Sequence, residues 1–417
     1  MVLESGDAQD RRASKQIPPL RILYALGPGD VVGLYRDLEA GREPAFQMSM
    51  PFSGQFLDWC DEAKAEAHVM SWHGRADSIE VGPHWLENRP KLSWYFRGGL
   101  KYHFGVVAYG LTVVARAVRG RAMLVIADSG TTHWIVLSLL ALARIPVIAV
   151  LHNTLWPMGY PPQRTMDRLL LAMDGWFFRH IAAATVCVSP ECERQVRLAA
   201  RTPKGPVTQC RAQFREGFLS RVAPPADLPA RPFRVLFMGR IEETKGVFLI
   251  LQMAERLEQE MPGAFRWRIV GAGSAFETLQ RQAKERQLNQ TVSIETSLRN
   301  REKALETLGW AHAMVVPTTS QFSEGLAMTA AEAVLAGRPV VVSSVVPAWE
   351  VLGCAAIKAE ADNVDSFVEA FRKLALDPAY YDACRRARTS VQAQFYDRSQ
   401  GLGNALGRAI TTLFRGL

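Results

Sequence analysis

The sequence lacks most of what would mark a metal centre, a disulfide scaffold or a membrane span. Its six cysteines (Cys60, Cys187, Cys192, Cys210, Cys354 and Cys384) form no Cys-x-x-Cys pair, so neither a zinc site nor a disulfide framework is indicated. Reduced thiols in a cytosol fit that pattern best. No Asp-x-Asp pair occurs anywhere. The apolar stretches "FGVVAYGLTVVARAV" and "WIVLSLLALARIPVIAVL" are short or are broken by Arg144 and Pro146, and read as buried core. Residues 1–18, within "MVLESGDAQDRRASKQIPP", are polar and of mixed charge, and read as a disordered tail with no secretory signal. The turn "GPGD" after the first apolar run lacks the spacing Gly-x-Gly-x-x-Gly, which argues against a dehydrogenase.

What is present is an ordinary globular composition with room for two cores. The chain has 417 residues, 48% of them hydrophobic and 22% charged. Short apolar runs ending in polar or glycine-rich punctuation alternate with helical stretches: "RILYALGPGD", "AHVMSWHG", "AMLVIADSG", "IPVIAVLHN" and "AATVCVSP". After the proline-rich "VAPPADLPARPF" the rhythm restarts with "RVLFMGRI", a helix at 247–260, "RWRIVGAG", a helix near 274–287, "VSIETS", "AMVVPT", an alanine-rich helix and "RPVVVSS". The pattern predicts an α/β protein of two doubly wound parallel domains. The first spans 19–222, a linker 223–233, the second 234–395, and residues 396–417 form a terminal helix packing back on the first domain.

Charge is distributed unevenly. Residues 84–225 hold 18 Lys or Arg against 7 Asp or Glu, while the rest of the chain is slightly acidic. Such a local surplus suits an anionic partner: a membrane surface, a phosphorylated lipid, a nucleotide or a nucleic acid. "RPKLSWYFRGGLKYHF", 89–104, interleaves cations with aromatics. It reads as a lipid-docking face or as a helix with its aromatics in the core. Without a recognisable nucleic-acid module, no nucleic-acid partner is expected.

Chemistry concentrates at the ends of predicted strands, where this architecture binds ligands. In "FMGRIEETKG" a strand ends at Gly239, and Arg240 and Lys245 converge ahead of a helix, an anion site in outline. "VGAG" places Gly271 and Gly273 at the next strand end, as a ligand-approaching backbone or merely a tight turn. In "FSEGLAMTAAEAVLAG", Ser323, Glu324 and Gly325 enter a helix whose free N–H groups near Gly325 and Leu326 are expected to point at a diphosphate. Eight residues at about 1.5 Å rise put Glu332 roughly 12 Å from Glu324, the span from a sugar past a diphosphate to a ribose.

From about residue 233 to 350 the chain resembles the family 4 retaining nucleotide-sugar glycosyltransferases, whose fold is GT-B. The resemblance rests on "GRIEETKG", "IVGAG" and "VVPTTSQFSEGLAMTAAEAVLAGRPVV", with "LHN" and "VCVSPE" in the first half. It implies that Arg240 and Lys245 bind the nucleotide diphosphate, that Glu324 contacts the transferred sugar and that Glu332 holds the ribose hydroxyls. It also implies that Gly27 and Gly29 face the diphosphate across the cleft and that His152 lies beside the reaction centre. The missing Asp-x-Asp pair counts against the metal-dependent alternative glycosyltransferase fold, so no essential metal or other cofactor is expected.

The activity implied is transfer of a sugar from a nucleoside-diphosphate sugar to a hydroxyl of a glycan or lipid-linked acceptor with retention, in the synthesis of cell-surface polysaccharide or lipopolysaccharide. A cytoplasmic enzyme, peripheral at the inner face of the membrane, fits that setting. A phosphorylase-like or epimerase-like enzyme on the same fold, and a catalytically silent binding module, are the alternatives. Residues 31–100, with "SMPFSGQFLDWCDE" and "EVGPHWLENRP", match the family poorly, so the acceptor is not inherited from it.

Overall fold

The structure, a computed structural model, describes residues 19–42, 48–91, 99–225, 231–296, 298 and 300–414. The tail at 1–18 and the central part of the aromatic–cation segment, 92–98, lie outside the described residues, as do 226–230 of the linker.

Two sheets organise the chain. The first contains β1 (Arg21–Pro28), β2 (Glu66–Trp72), β3 (Asp77–Val81), β4 (His84–Arg89), β5 (Leu124–Asp128), β6 (Val147–Leu151), β7 (Ala184–Cys187) and β8 (Val207–Gln209), in the order β3-β4-β2-β1-β5-β6-β7-β8. The second contains β9 (Phe233–Met238), β10 (Phe265–Val270), β11 (Val292–Glu295), β12 (Ala313–Val316), β13 (Val340–Ser343) and β14 (Ala356–Ala359), in the order β11-β10-β9-β12-β13-β14. Strands β5, β6, β7, β12 and β13 are buried at every residue, as central strands covered on both faces must be. All pairings are parallel except β3 with β4. That hairpin was not expected from the sequence. It turns at Gly82-Pro83, with Gly82 in the left-handed region at φ 57°, a conformation glycine adopts without a Cβ penalty.

Strand order fixes where ligands can enter. From β1 the chain moves one way to β2 and later returns to β5 on the other side. From β9 it moves to β10 and β11, then returns to β12. Each reversal leaves a crevice at the carboxyl ends of the strands, one above β1 and β5 and the other above β9 and β12.

The helices used below are α1 (Val31–Glu39), α2 (Phe52–Ala63), α3 (Gly99–Arg119), α4 (Thr165–His180), α5 (Pro190–Ala200), α6 (Val247–Glu260), α7 (Phe276–Glu285), α8 (Arg301–Trp310) and α9 (Met328–Leu335). Between β5 and β6 the apolar run coils as a 3-10 segment, Trp134–Ala143, which packs beside α3 and α4. One apolar cluster fills the first domain and continues through Leu326, Ala330 and Val334 into the second, and another fills the outer side of the second sheet.

Near its end the chain crosses back to the first domain. Phe214 N–H donates to the Phe395 carbonyl (2.9 Å), and Arg211 N–H to that of Gln400 (2.7 Å). The C-terminal helix, Leu402–Phe414, lies on α2, where Gly403 and Gly407 allow close approach to the Gln55 backbone and the Trp59 ring. Arg338, fully buried after α9, donates to the carbonyls of Ala223, Gly309, Ala311 and Ala336 and so pins the linker to the second domain.

Candidate active site

At the end of β9, Arg240 and Lys245 converge on one aromatic ring. The Lys245 ammonium stands 4.1 Å from the Phe322 ring centroid, and the Arg240 guanidinium carbon 5.8 Å. Arg240 is exposed and bonds Glu242 at 3.0 Å, whereas Lys245 is largely buried and ion-pairs with Glu324. Thr318, at the end of β12, donates to the same Glu324 oxygen at 3.2 Å. A cation from the loop after β9 and a carboxylate and a hydroxyl from the loop between β12 and α9 therefore meet at one point. Gly246, at φ 74°, makes this possible, because a Cβ there would overlap the carbonyl oxygen of Pro317.

Glu332 is different. It is 4% exposed, sits on α9 among alanines, and has no hydrogen-bond or ion-pair partner among the described residues. Burial pushes its carboxyl up to about 7. It faces a cavity of about 430 Å³ lined also by Met238, Gly239, Arg240, Gly271, Met328 and Thr329, with Ser49 contributed by the first domain. A buried carboxylate without a donor is costly, and one aimed into a cavity is placed for a ligand that brings donors with it.

The loop ahead of α9 differs from the expectation. The helix begins at Met328, with Ala327 at φ 62° before it, so Gly325 and Leu326 are loop residues and their N–H groups do not open the helix. Only Glu332 rides on α9, and the 12 Å helical spacing from Glu324 does not apply. Leu326 packs into the core, and Ser323 is half-buried in the loop. Gly325 has a steric role: a Cβ there would overlap the carbonyl oxygen of His152 in the other domain. The glycines of "VGAG" are likewise packed, since a Cβ on Gly271 would meet the Gly239 carbonyl and one on Gly273 that of Ile241. Gly271 also reaches the cavity. Gly273 is not among the residues lining it.

Across the cleft, the turn after β1 is tightly held. Ser71 Oγ donates to the Gly29 carbonyl (2.7 Å), Asn88 donates to Asp30 (2.6 Å), and Asp30 accepts from Gly33 N–H at the start of α1. Gly27 and Gly29 line a second cavity of about 610 Å³ with Asp30, Asp128, Ser129 and His152. His152 Nε2 lies 3.1 Å from Asp128 Oδ1, an ion-pair distance without hydrogen-bond alignment. Its ring packs on Phe52, with centroids 4.4 Å apart, and its backbone N–H donates to Ser129 Oγ (2.9 Å). Tyr24 donates to Asp128 at 2.8 Å, and burial beside that carboxylate holds the phenol far above its usual pKa.

Asp128, Tyr24, Phe52 and Thr318 were missed in the sequence. Asp128 had a signal, a carboxylate closing the otherwise apolar "AMLVIAD". Among the described residues no group of three or more His, Cys, Asp or Glu is placed to hold a metal ion.

Two facing doubly wound domains with their crevices turned toward each other define the GT-B fold. Solved structures agree along nearly the whole length. Sucrose-phosphate synthase from Thermosynechococcus elongatus superposes with TM-score 0.67 at 15% identity, covering 95% of this chain and all of that one. α,α-Trehalose 6-phosphate synthase from Burkholderia multivorans gives 0.71 at 11%, covering 95% and 98%. The Anabaena protein HepE in complex with UDP gives 0.63 at 14%, covering 94% and 100%. Residues 223–391 match the family Glycosyl transferases group 1, which together with the fold supports a GT-B glycosyltransferase. No curated protein matches the chain.

Proposed function

We propose that the protein is a retaining glycosyltransferase that moves a sugar from a nucleoside-diphosphate sugar to a hydroxyl of a glycan or glycolipid, without an essential metal. The observation that carries this reading is Glu332, a buried carboxylate without a partner among the described residues, which lines a cavity together with Gly239 and Arg240. A ribose supplies the two hydroxyl donors that this carboxylate lacks. The diphosphate then extends toward Arg240 and Lys245, and the sugar toward Glu324 and His152. HepE in complex with UDP and the E. coli trehalose-6-phosphate protein bound with UDP-2-fluoro glucose support a nucleotide donor of this kind.

Breaking the sugar–phosphate bond builds positive charge on the sugar and negative charge on the leaving diphosphate. Fixed cations at the phosphates lower that barrier without a metal ion. Lys245 is held by Glu324 in this structure, and the diphosphate offers it a stronger anion. That exchange releases Glu324 toward the sugar at the moment the donor binds. His152, packed on Phe52 beside Asp128, lines the cavity of the opposite wall.

Calorimetric titration with a panel of nucleoside diphosphates, followed by diphosphate release from the matching sugar donor, tests the reading. Saturable binding of one nucleotide and anomer-retaining transfer are expected. Absence of binding to every nucleoside diphosphate would overturn it.

A further inference from the structure

The first domain carries a surface that the proposed transfer chemistry does not use. Helices α3, α4 and α5 and the 3-10 segment Trp134–Ala143 form one layer over the first sheet, each packed on the next. Of the sixteen exposed large apolar side chains among the described residues, ten lie on α3, Trp134–Ala143 and α4. Among the described residues of the second domain, Leu376 alone is of this kind. Solvated faces of monomers scatter such residues singly and do not gather them on one layer.

Their spacing makes the face continuous. On α3, Leu100, Phe104, Leu111 and Val118 follow at intervals of four, seven and seven, which keeps them on one side of the helix within about 40°. The opposite side, through Gly105, Val106, Tyr109, Gly110 and Val113, is buried against the domain. Leu142, 85% exposed, projects from the end of the 3-10 segment, and Met166, Leu169 and Trp176 line the outer side of α4. Among the described residues no helix is long and apolar enough to cross a membrane, so any lipid contact by these helices is lateral.

Charge selects the partner. Helix α3 contains no Asp or Glu. Lys101 and Arg119 on α3, Arg144 just after the 3-10 segment, and Arg164, Arg168 and Arg179 at the start of and on α4 are all exposed and make no ion pair among the described residues. The acids of the layer are few: Asp167 and Asp174 on α4, and Glu191 and Glu193 on α5, which are paired with Arg194 and Arg197. Two copies of this face would set unpaired cations against one another. An anionic bilayer supplies what the face lacks, apolar depth for the leucines and phosphates for the cations.

We infer that the outer face of α3, Trp134–Ala143 and α4 docks the protein on the surface of an anionic lipid bilayer. Resting on the proposed transfer reaction, this places the His152 wall of the cleft on the domain held at the membrane, where a lipid-linked acceptor would be met. Docking itself needs neither donor nor turnover, so its failure and that of the transferase reading are separately visible.

The test is co-sedimentation of the full chain with phosphatidylcholine vesicles and with vesicles in which about one lipid in three is phosphatidylglycerol. The expected result is binding to the anionic vesicles that falls as salt rises, with weak binding to the neutral ones. The double substitution Phe104→Glu and Leu142→Glu, on exposed positions, should weaken anionic-vesicle binding at least tenfold, with melting and nucleotide titration unchanged. Arg144→Ala and Arg168→Ala should each cost about fivefold, the effect of one cation near an anionic surface. Leu376→Glu, on the other domain, should cost nothing. Equal binding of wild type and the double variant, equal binding to neutral and anionic vesicles, or no sedimentation with either would overturn the inference. Self-association by this face in sedimentation velocity, without vesicle binding, would do so too.

Discussion

The two walls of the cleft are built alike and differ in what they present. The second domain brings Lys245, Thr318 and Glu324 from two loops to one point and leaves Glu332 without a partner among the described residues. The first domain holds its turn at 27–30 through Ser71, Asn88 and Asp30, and ties His152 to Phe52, Ser129 and Asp128. One wall leaves a buried carboxylate without a partner, and the other fixes its turn and backbone by hydrogen bonds while both ring nitrogens of His152 stay unbonded among the described residues. A wall with an unmet carboxylate suits a ligand with donors, whereas a wall whose turn and backbone are held by hydrogen bonds presents the His152 ring, its nitrogens unbonded, from a fixed position.

The sharpest way to break this contrast is to remove the cation of the second wall. Lys245→Ala should lower kcat/KM by about 10²–10³-fold, as loss of one preorganised charge at a developing anion does. Release of the nucleoside diphosphate from the sugar donor reads it, and a loss below about threefold would remove Lys245 from the site. Glu324→Gln should lower kcat by about 10²-fold, because its contact with the sugar counts mainly in the transition state. It should leave the affinity for bare diphosphate unchanged or raise it, since Lys245 loses its competing partner. Weaker diphosphate binding in Glu324→Gln would reverse the proposed direction of the donor.

Gly325→Ala probes the contact between the walls. Its Cβ overlaps the His152 carbonyl, so the domains must part, and turnover should fall about tenfold with a larger radius of gyration in solution scattering. A variant with unchanged radius and rate would show that the closed arrangement is not required. The smallest expected effect is that of a chelator, because in the proposed reaction the cations of the second wall take the place of a metal. Steady-state rates in excess chelator should match those in magnesium, and activity abolished by chelation and restored by manganese would contradict that.

The comparison also separates what the sequence reveals from what it hides. Gly239, Arg240 and Lys245 were legible because a buried strand, a glycine and two cations stand within a few residues. The helix at 247–260 was legible because its apolar period is local. The start of α9 was not, because Ala327 takes a left-handed conformation that no local preference of alanine suggests. The pairing of Lys245 with Glu324 spans 79 residues, and that of His152 with Asp128 joins two strand ends. Such contacts follow from strand order, which periodicity does not give. The hairpin of β3 and β4 escaped because its strands are short and β3 is half-exposed. The outer stripe of α3 was masked by composition, since its apolar residues read as core until the fold turned them outward.

The central claim is that Glu332 is kept in an alanine-rich helix for a ligand and at a cost to the empty protein. Folding raises its carboxyl from the ordinary range to about 7. The stability linked to this group is therefore fully present below about pH 4.5 and is lost as pH rises through 7. Glu332→Gln cannot ionise. The most direct test is to measure, for wild type and Glu332→Gln, thermal unfolding from pH 4.5 to 8 together with nucleoside diphosphate affinity at pH 8. The account predicts that the variant is more stable than wild type at pH 8, by up to about 3 kcal/mol, with the gap closing toward pH 4.5, and that it binds the nucleotide at least tenfold more weakly. A variant that is less stable at pH 8 and binds the nucleotide as wild type does would show that Glu332 serves the fold and not a ligand.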